Sequence, residues 1–216
     1  MARGSLPTNI FIDSPDTLLA NPDEHVPEVG VNPLTWKDSA KFKLQQSQTR
    51  KKVFLDIETT EGIKSAEKLF ETEADSIYRS YCEARYRCKG QKLKLVTTRT
   101  FGSKSILAPD FVKLSSYLKE HPQAEINWKL HNLSKSIFFV ALAELGTVTM
   151  PLTFAQITVK FESQQSITFN PNKEAPPPAD KPPRSIVDRI VFERCVTRKG
   201  ASWRICANLP EKKNQN

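Results

Sequence analysis

The chain has 216 residues and carries 32 Lys plus Arg against 24 Asp plus Glu, a net charge of +8. Apolar residues make up 38%, below the roughly 45–50% of a typical globular chain. One ordinary domain with an extension outside its core is therefore expected. No apolar run approaches the roughly 18–20 residues of a membrane-crossing helix, the best being the strand-length stretch from Ile137 to Ala143. The seven glycines are too widely scattered for a Gly-rich phosphate cradle. Four cysteines without a CxxC pair do not make a disulfide framework, so a reducing compartment is expected.

Residues 1–59 read as an extended, Pro-containing tail. Pro7, Pro15, Pro22, Pro27 and Pro33 interrupt any helix. Its first 36 residues hold one base and five acids, the wrong composition for an Arg-rich transit peptide. Residues 60–209 read as the domain. Thr59 or Thr60 caps a long helix whose apolar face is Ile63, Ala66, Phe70, Ala74, Ile77, Tyr81 and Ala84, with Gly90 as its C-cap. A second helix is expected over Lys92 to Thr100, and a third from Asp110 as N-cap until His121-Pro122 stops it.

Beyond Pro122 the period switches to two. Ile126, Trp128 and Leu130 alternate with polar residues, and Ser136 to Leu145 reads as a central strand. Ala155, Ile157, Val159 and Phe161 alternate with Gln156, Thr158, Lys160 and Glu162, the pattern of a half-buried antiparallel strand. Ile167 and Phe169 follow after a break. Residues 171–183 form a Pro-rich insert that neither a helix nor a central strand accommodates. Two last strands, Ile186 to Val196 and Ser202 to Leu209, flank a turn near Gly200. That turn sets Val196 opposite Ile205, Phe192 opposite Leu209, and Cys195 opposite Cys206. Ile190, Phe192 and Val196 then share a face with Trp203, Ile205 and Leu209, with Arg194 an intruder on it. Residues 210–216 are a polar tail. Helices first and five or six antiparallel strands after them make an α+β fold.

Candidate chemistry is sparse. His25, His121 and His131 have no ligand or catalytic partner at useful spacing, and Cys82 and Cys88 face different sides of one helix. Glu144 and Asp188 are the only strand acids pointing inward, so neither catalysis nor a metal or cofactor site is expected. The bases are more informative. Arg50, Lys51 and Lys52 end the tail; Arg85, Arg87, Lys89 and Lys92 gather at and beyond the end of the long helix; Arg184, Arg198 and Lys199 belong to the last hairpin. Separated basic groups of this kind suit backbone-directed nucleic-acid binding. Tyr78, Tyr81 and Tyr86 lie among the helical bases, Tyr81 being expected in the core.

Three strings carry a resemblance: Phe154-Ala-Gln-Ile-Thr-Val-Lys-Phe-Glu-Ser-Gln-Gln-Ser-Ile167, Asp188-Arg-Ile-Val-Phe-Glu-Arg194 and Gly200-Ala-Ser-Trp-Arg-Ile-Cys206. They resemble the "GQITV", "VVFE(K/R)" and "GSWR" strands of the mitochondrial large-subunit ribosomal protein forty-five family. That family is grouped with the import-motor tether and a fungal inner-membrane ribosome receptor. The resemblance implies a cone-shaped, nuclear-transport-factor-like α+β domain without catalytic activity. It implies a matrix protein of the large mitochondrial ribosomal subunit near the polypeptide exit, helping tether the ribosome to the inner membrane. The implied partners are large-subunit rRNA, neighbouring ribosomal proteins, an inner-membrane insertase or the lipid surface, and the nascent chain. The alternatives are a membrane-associated scaffold of the import motor, whose members carry a longer charged leader, and a small-molecule-binding cone, which requires a polar pocket lining.

Overall fold

The computed structural model describes residues 44–54, 66–147, 150–174, 182–198 and 200–209. Five helices and four strands are present among them, an α+β arrangement. Helix α1 covers residues 44–54, α2 Ala66–Tyr86, α3 Gly90–Val96, α4 Arg99–Leu107 and α5 Pro109–Glu120. The strands are β1 Glu125–Thr147, β2 Met150–Asn170, β3 Arg184–Cys195 and β4 Arg204–Leu209, paired antiparallel in the order β1-β2-β3-β4.

Helix α2 packs on one face of the sheet. Phe70, Ala74, Tyr78, Tyr81 and Cys82 from the helix meet Ile157, Val159, Phe161, Ile190, Phe192 and Ile205 from the strands, all buried. Three- and four-residue steps put the helical set on one stripe, and alternation does the same for each strand. Phe70 lies edge-on to Phe192 at 5.6 Å and tilted against Trp203 at 4.7 Å. Arg194, the expected intruder, is buried and sits over the Trp203 ring at 5.9 Å. An aromatic face attracts a guanidinium, which accounts for a base on an apolar surface.

Several expectations are corrected. The extended tail was expected to reach residue 59, but residues 44–54 are helical and bury Val53 and Phe54, the latter 6.0 Å from Phe70. The helix-breaking prolines end at Pro33, and 44–54 is a Pro-free run of good helix formers. The rest of that tail, the helix start near Thr60, the middle of the Pro-rich insert and residues 210–216 lie outside the described residues. The long helix ends not on Gly90 but at Tyr86, followed by Cys88 in the left-handed region at φ 52°. The expected second helix is two helices, because Thr97 bridges to Ile205 and the Thr98 amide donates to the Ile205 carbonyl at 2.8 Å. That bridge covers part of the β4 edge. Helix α5 starts two residues earlier than expected, with Pro109 in its first turn and Ala108, not Asp110, as N-cap.

Among the described residues four strands, three of them long, replace the expected five or six. His131 and its neighbours do not break β1, which bends through register shifts at Leu130/Asn132 and Ile137/Phe139 and continues. Gln156 and Thr158 are buried, so the middle of β2 is not half-exposed. They share with Phe139, Val191, Glu193 and Ala207 the face opposite α2. Burial there favours pairing, and Gln156 Nε2 donates to Glu193 Oε2 at 2.8 Å, whereas Thr158 Oγ1 is buried without a hydrogen-bond partner.

The last hairpin also differs. Phe192 pairs with Ile205 and Arg189 with Leu209, with an irregularity between Val191 and Phe192. The expected Cys195–Cys206 pair is absent from this register; Cys195 pairs with Phe154 on the β2 side, and Cys206 Sγ donates to the Val191 carbonyl at 3.5 Å. The turn is longer than a tight one, spanning residues 196–203 with Gly200 at φ 76°.

Two substitutions probe this packing. Trp203→Ala removes a side chain that is 3% exposed; a loss of about 3–5 kcal/mol is expected from urea unfolding. At Gly102 an added Cβ would stand 2.4 Å from Thr97 Oγ1, itself buried and donating to the Leu93 carbonyl at 2.7 Å. Gly102→Ala should therefore lower the unfolding free energy measured in urea by about 1–3 kcal/mol, as overpacking does.

Candidate nucleic-acid interface

The direction of α2 decides where the bases stand. Phe70 lies beside Phe192 and Trp203, Tyr78 beside Asp188 and Ser163, and Tyr86 stacks on Trp128 at 6.3 Å. The helix thus runs antiparallel to β3, and its C-terminus arrives at the end of the sheet where Arg184 pairs with Gln165. Arg85, Arg87, Lys89 and Lys92 follow from that C-terminus, so they share this end with Arg184. Arg198 stands beyond Cys195, at the other end of β3. Twelve strand residues at about 3.3 Å each separate the two ends by roughly 36 Å. Helix α1, which carries Arg50, Lys51 and Lys52, packs toward the Arg198 end through Phe54 and through Gln46 Oε1, acceptor for the Val140 amide at 2.9 Å.

The expected hairpin group of Arg184, Arg198 and Lys199 is therefore not one patch. A strand as long as β3 parts its two ends, and the bases regroup by end of the sheet instead. Lys199 lies outside the described residues. Lys51, Lys52, Arg85 and Arg184 are exposed, while Arg50 and Arg198 are half-buried. Arg189 and Arg194 serve packing, over Phe138 at 5.5 Å and over Trp203 respectively.

The α2 group contains an acid that its bases surround. Arg87 Nη1 and Lys89 Nζ each lie 3.3 Å from Glu83 Oε1, and Lys92 Nζ meets Glu83 Oε2. The Lys92 hydrogen bond, with Lys89 adding to it, outweighs partial burial and holds the Glu83 carboxyl below its ordinary range. A carboxylate four residues before an arginine is a visible helical pairing signal, and it is the clue that a count of bases alone passes over. Tyr78, Tyr81 and Tyr86 do not offer an open stacking platform: the first two are buried and Tyr86 packs on Trp128. His131 is exposed, with Nε2 2.9 Å from Ser166 Oγ.

Asp188, an inward-pointing acid, is fully engaged. Tyr78 Oη donates to its Oδ2 at 2.6 Å and Asn208 Nδ2 to its Oδ1 at 3.3 Å. Gln165 Nε2 donates to Tyr78 Oη at 3.1 Å and to Ser163 Oγ at 2.8 Å, while Trp128 Nε1 donates to Gln165 Oε1 at 2.8 Å. This chain of hydrogen bonds fills the space between α2 and the sheet with satisfied polar groups. A shallow recess elsewhere, lined by Phe70, Glu71, Ala74, Lys135, Ser136, Ile137 and Val159, is crossed by Lys135, which donates to the Glu71 carbonyl at 2.6 Å and pairs with Asp75 at 2.8 Å. Among the described residues no three His, Cys, Asp or Glu side chains are grouped to hold a metal ion.

Neither a scan against protein-family models nor a search of curated protein sequences finds a match to this chain.

Burial sets the alkaline limit of stability. It pushes the Tyr78 hydroxyl far above its ordinary value, Cys82 and Asp188 adding to the push. It also drives the Cys82 thiol from 9.0 up to about 12, opposed by a hydrogen bond with Tyr78 and helped by Asp188. Both groups stay protonated in the native state where the unfolded chain has already lost the proton. Their stability is present below the unfolded values and is lost as pH rises. For Cys82 that window runs from pH 9.0 to about 12. Urea midpoints measured across it should fall steadily, and Cys82→Ala should flatten the descent.

Proposed function

We propose that this protein is a structural component of the large mitochondrial ribosomal subunit near the polypeptide exit, held to rRNA through phosphates and helping to tether the ribosome to the inner membrane. The observation that carries the reading is the standing of the three resembling strings in the fold. They occupy β2, β3 and the turn leading into β4, three consecutive strands of one antiparallel sheet with α2 across it. A cone of the nuclear-transport-factor type, with helices packed into a curved sheet, is the finer architecture proposed with it.

Charge supports the same reading. Basic groups at two ends of a sheet about 36 Å apart suit a protein wedged between phosphate-rich surfaces better than one reading a single groove. The internal polar chain leaves Asp188 tied to the scaffold, which favours a binding role over a reaction at that carboxylate. Rigid placement of both basic ends follows from the continuous β3 strand that joins them.

Sedimentation of the native protein from a mitochondrial lysate tests the proposal. Co-migration with the large subunit, abolished by RNase, is expected; sedimentation with membranes regardless of RNase would favour the import-motor scaffold instead. In a salt titration of rRNA binding, the Arg198→Gln/Lys199→Gln double variant should bind more weakly. Its log–log slope should be shallower by about one per lost phosphate contact.

A further inference from the structure

The Glu83 cluster is built within one stretch of ten residues, 83–92, where the chain turns from α2 into α3. Arg87 follows the last turn of α2, Lys89 belongs to the turn, and Lys92 is on α3. The left-handed Cys88, with the Lys89 amide donating to the Ala84 carbonyl at 2.8 Å, folds the chain back so that both lysines return over a residue six and nine positions earlier. The three cations remain open to solvent, with side chains 32%, 48% and 40% exposed. Exposed ion pairs add little to the stability of a fold, so stability is a weak reason for this convergence.

Two donors on one oxygen and a third on the other is how a singly charged oxyanion is held. A phosphodiester offers the same charge and the same pair of acceptor oxygens as a carboxylate. We propose that Arg87, Lys89 and Lys92 form a binding site for one phosphodiester of an RNA backbone, and that Glu83 is the internal competitor that this phosphate must displace. The proposal rests on the RNA-binding reading above and deepens it. With Glu83 in place the cluster presents two net positive charges instead of three. An incoming phosphate exchanges one anion for another and meets repulsion from the displaced carboxylate. A lone phosphate then gains little, whereas a folded RNA that also engages Arg184 and the far end of the sheet can drive the exchange.

Removing the competitor tests this. Glu83→Gln keeps the shape of the side chain and adds one unit of net charge. Glu162→Gln adds the same unit elsewhere, next to Lys160, its own partner. Binding of the full chain to a double-stranded rRNA fragment is followed by fluorescence anisotropy as salt is raised. Glu83→Gln should tighten binding by about three- to tenfold and steepen the log–log slope by about one or more, as newly available cations neutralise phosphates. Glu162→Gln should change affinity by less than about twofold, a long-range effect largely screened by salt. Adding Arg87→Gln and Lys92→Gln to Glu83→Gln should abolish the gain. Wild-type binding with Glu83→Gln no different from Glu162→Gln would overturn this proposal while leaving the RNA-binding reading intact. No binding by any variant would overturn both. A gain seen on phosphatidylglycerol vesicles but not on RNA would overturn the assignment of the site to RNA.

Discussion

Tyr78 fixes the relation between helix and sheet. Its ring lies flat on Phe161, with centroids 4.1 Å apart and planes 4° from parallel, and its hydroxyl reaches Asp188 on β3 and Gln165 on β2. Through Gln165 the same set reaches Trp128 on β1, and through Asp188 it reaches Asn208 on β4. One helical side chain is thus linked to all four strands. An apolar stripe alone would let α2 slide along its groove at modest cost, since volume and hydrophobicity tolerate repacking. A buried hydroxyl with directional partners does not, because a slip strands donors and acceptors away from water. The orientation of α2 antiparallel to β3 depends on that constraint, and the position of every base beyond the helix depends on the orientation.

The sheet turns this local fixing into a long-range one. β1 and β2 run for 23 and 21 residues, far above the usual five or six. Strands this long must bend to stay packed, and the two register shifts in β1 supply the bend. The Thr97 bridge binds the α3–α4 junction to β4, so the helices that begin at the Glu83 turn are anchored at their far end as well. Two basic ends on one continuous framework move together, which makes their separation a property that a large, rigid partner can match.

Much of this was legible in the sequence, and the misses share a cause. The α2 face could be read from Phe70, Ala74, Tyr81 and Ala84 because a helical period is a local property. Tyr78 could not, since its burial depends on a carboxylate 110 positions away. The hairpin register was misplaced by four positions, Ile205 pairing with Phe192 instead of Val196. Four is an even slip, which leaves side chains on their own face, so the predicted shared face of Ile190, Phe192, Trp203 and Ile205 survives while the Cys195–Cys206 pairing does not. Past the irregularity at Val191/Phe192 the slip is three, so Leu209, opposite Arg189, leaves that face. The break between α3 and α4 was invisible because a contact with β4 creates it. At the candidate interface, the bases were found by counting. Their division between two ends of the sheet needed the topology.

Counting also overstates how much charge a surface offers. Arg194 is spent on Trp203 and Arg189 on Phe138, and three of the bases just beyond α2 already share one carboxylate. A net charge of +8 describes the long-range field that brings a polyanion near. What the polyanion then gains depends on cations that can leave their present partners at little cost. Exposed pairs such as those on Glu83 can, because water stabilises each ion in the separated state nearly as well. A buried guanidinium such as Arg194 cannot, because its withdrawal would open the core around Trp203. Arrival and retention are therefore set by different residues, and only the second set is written in the fold.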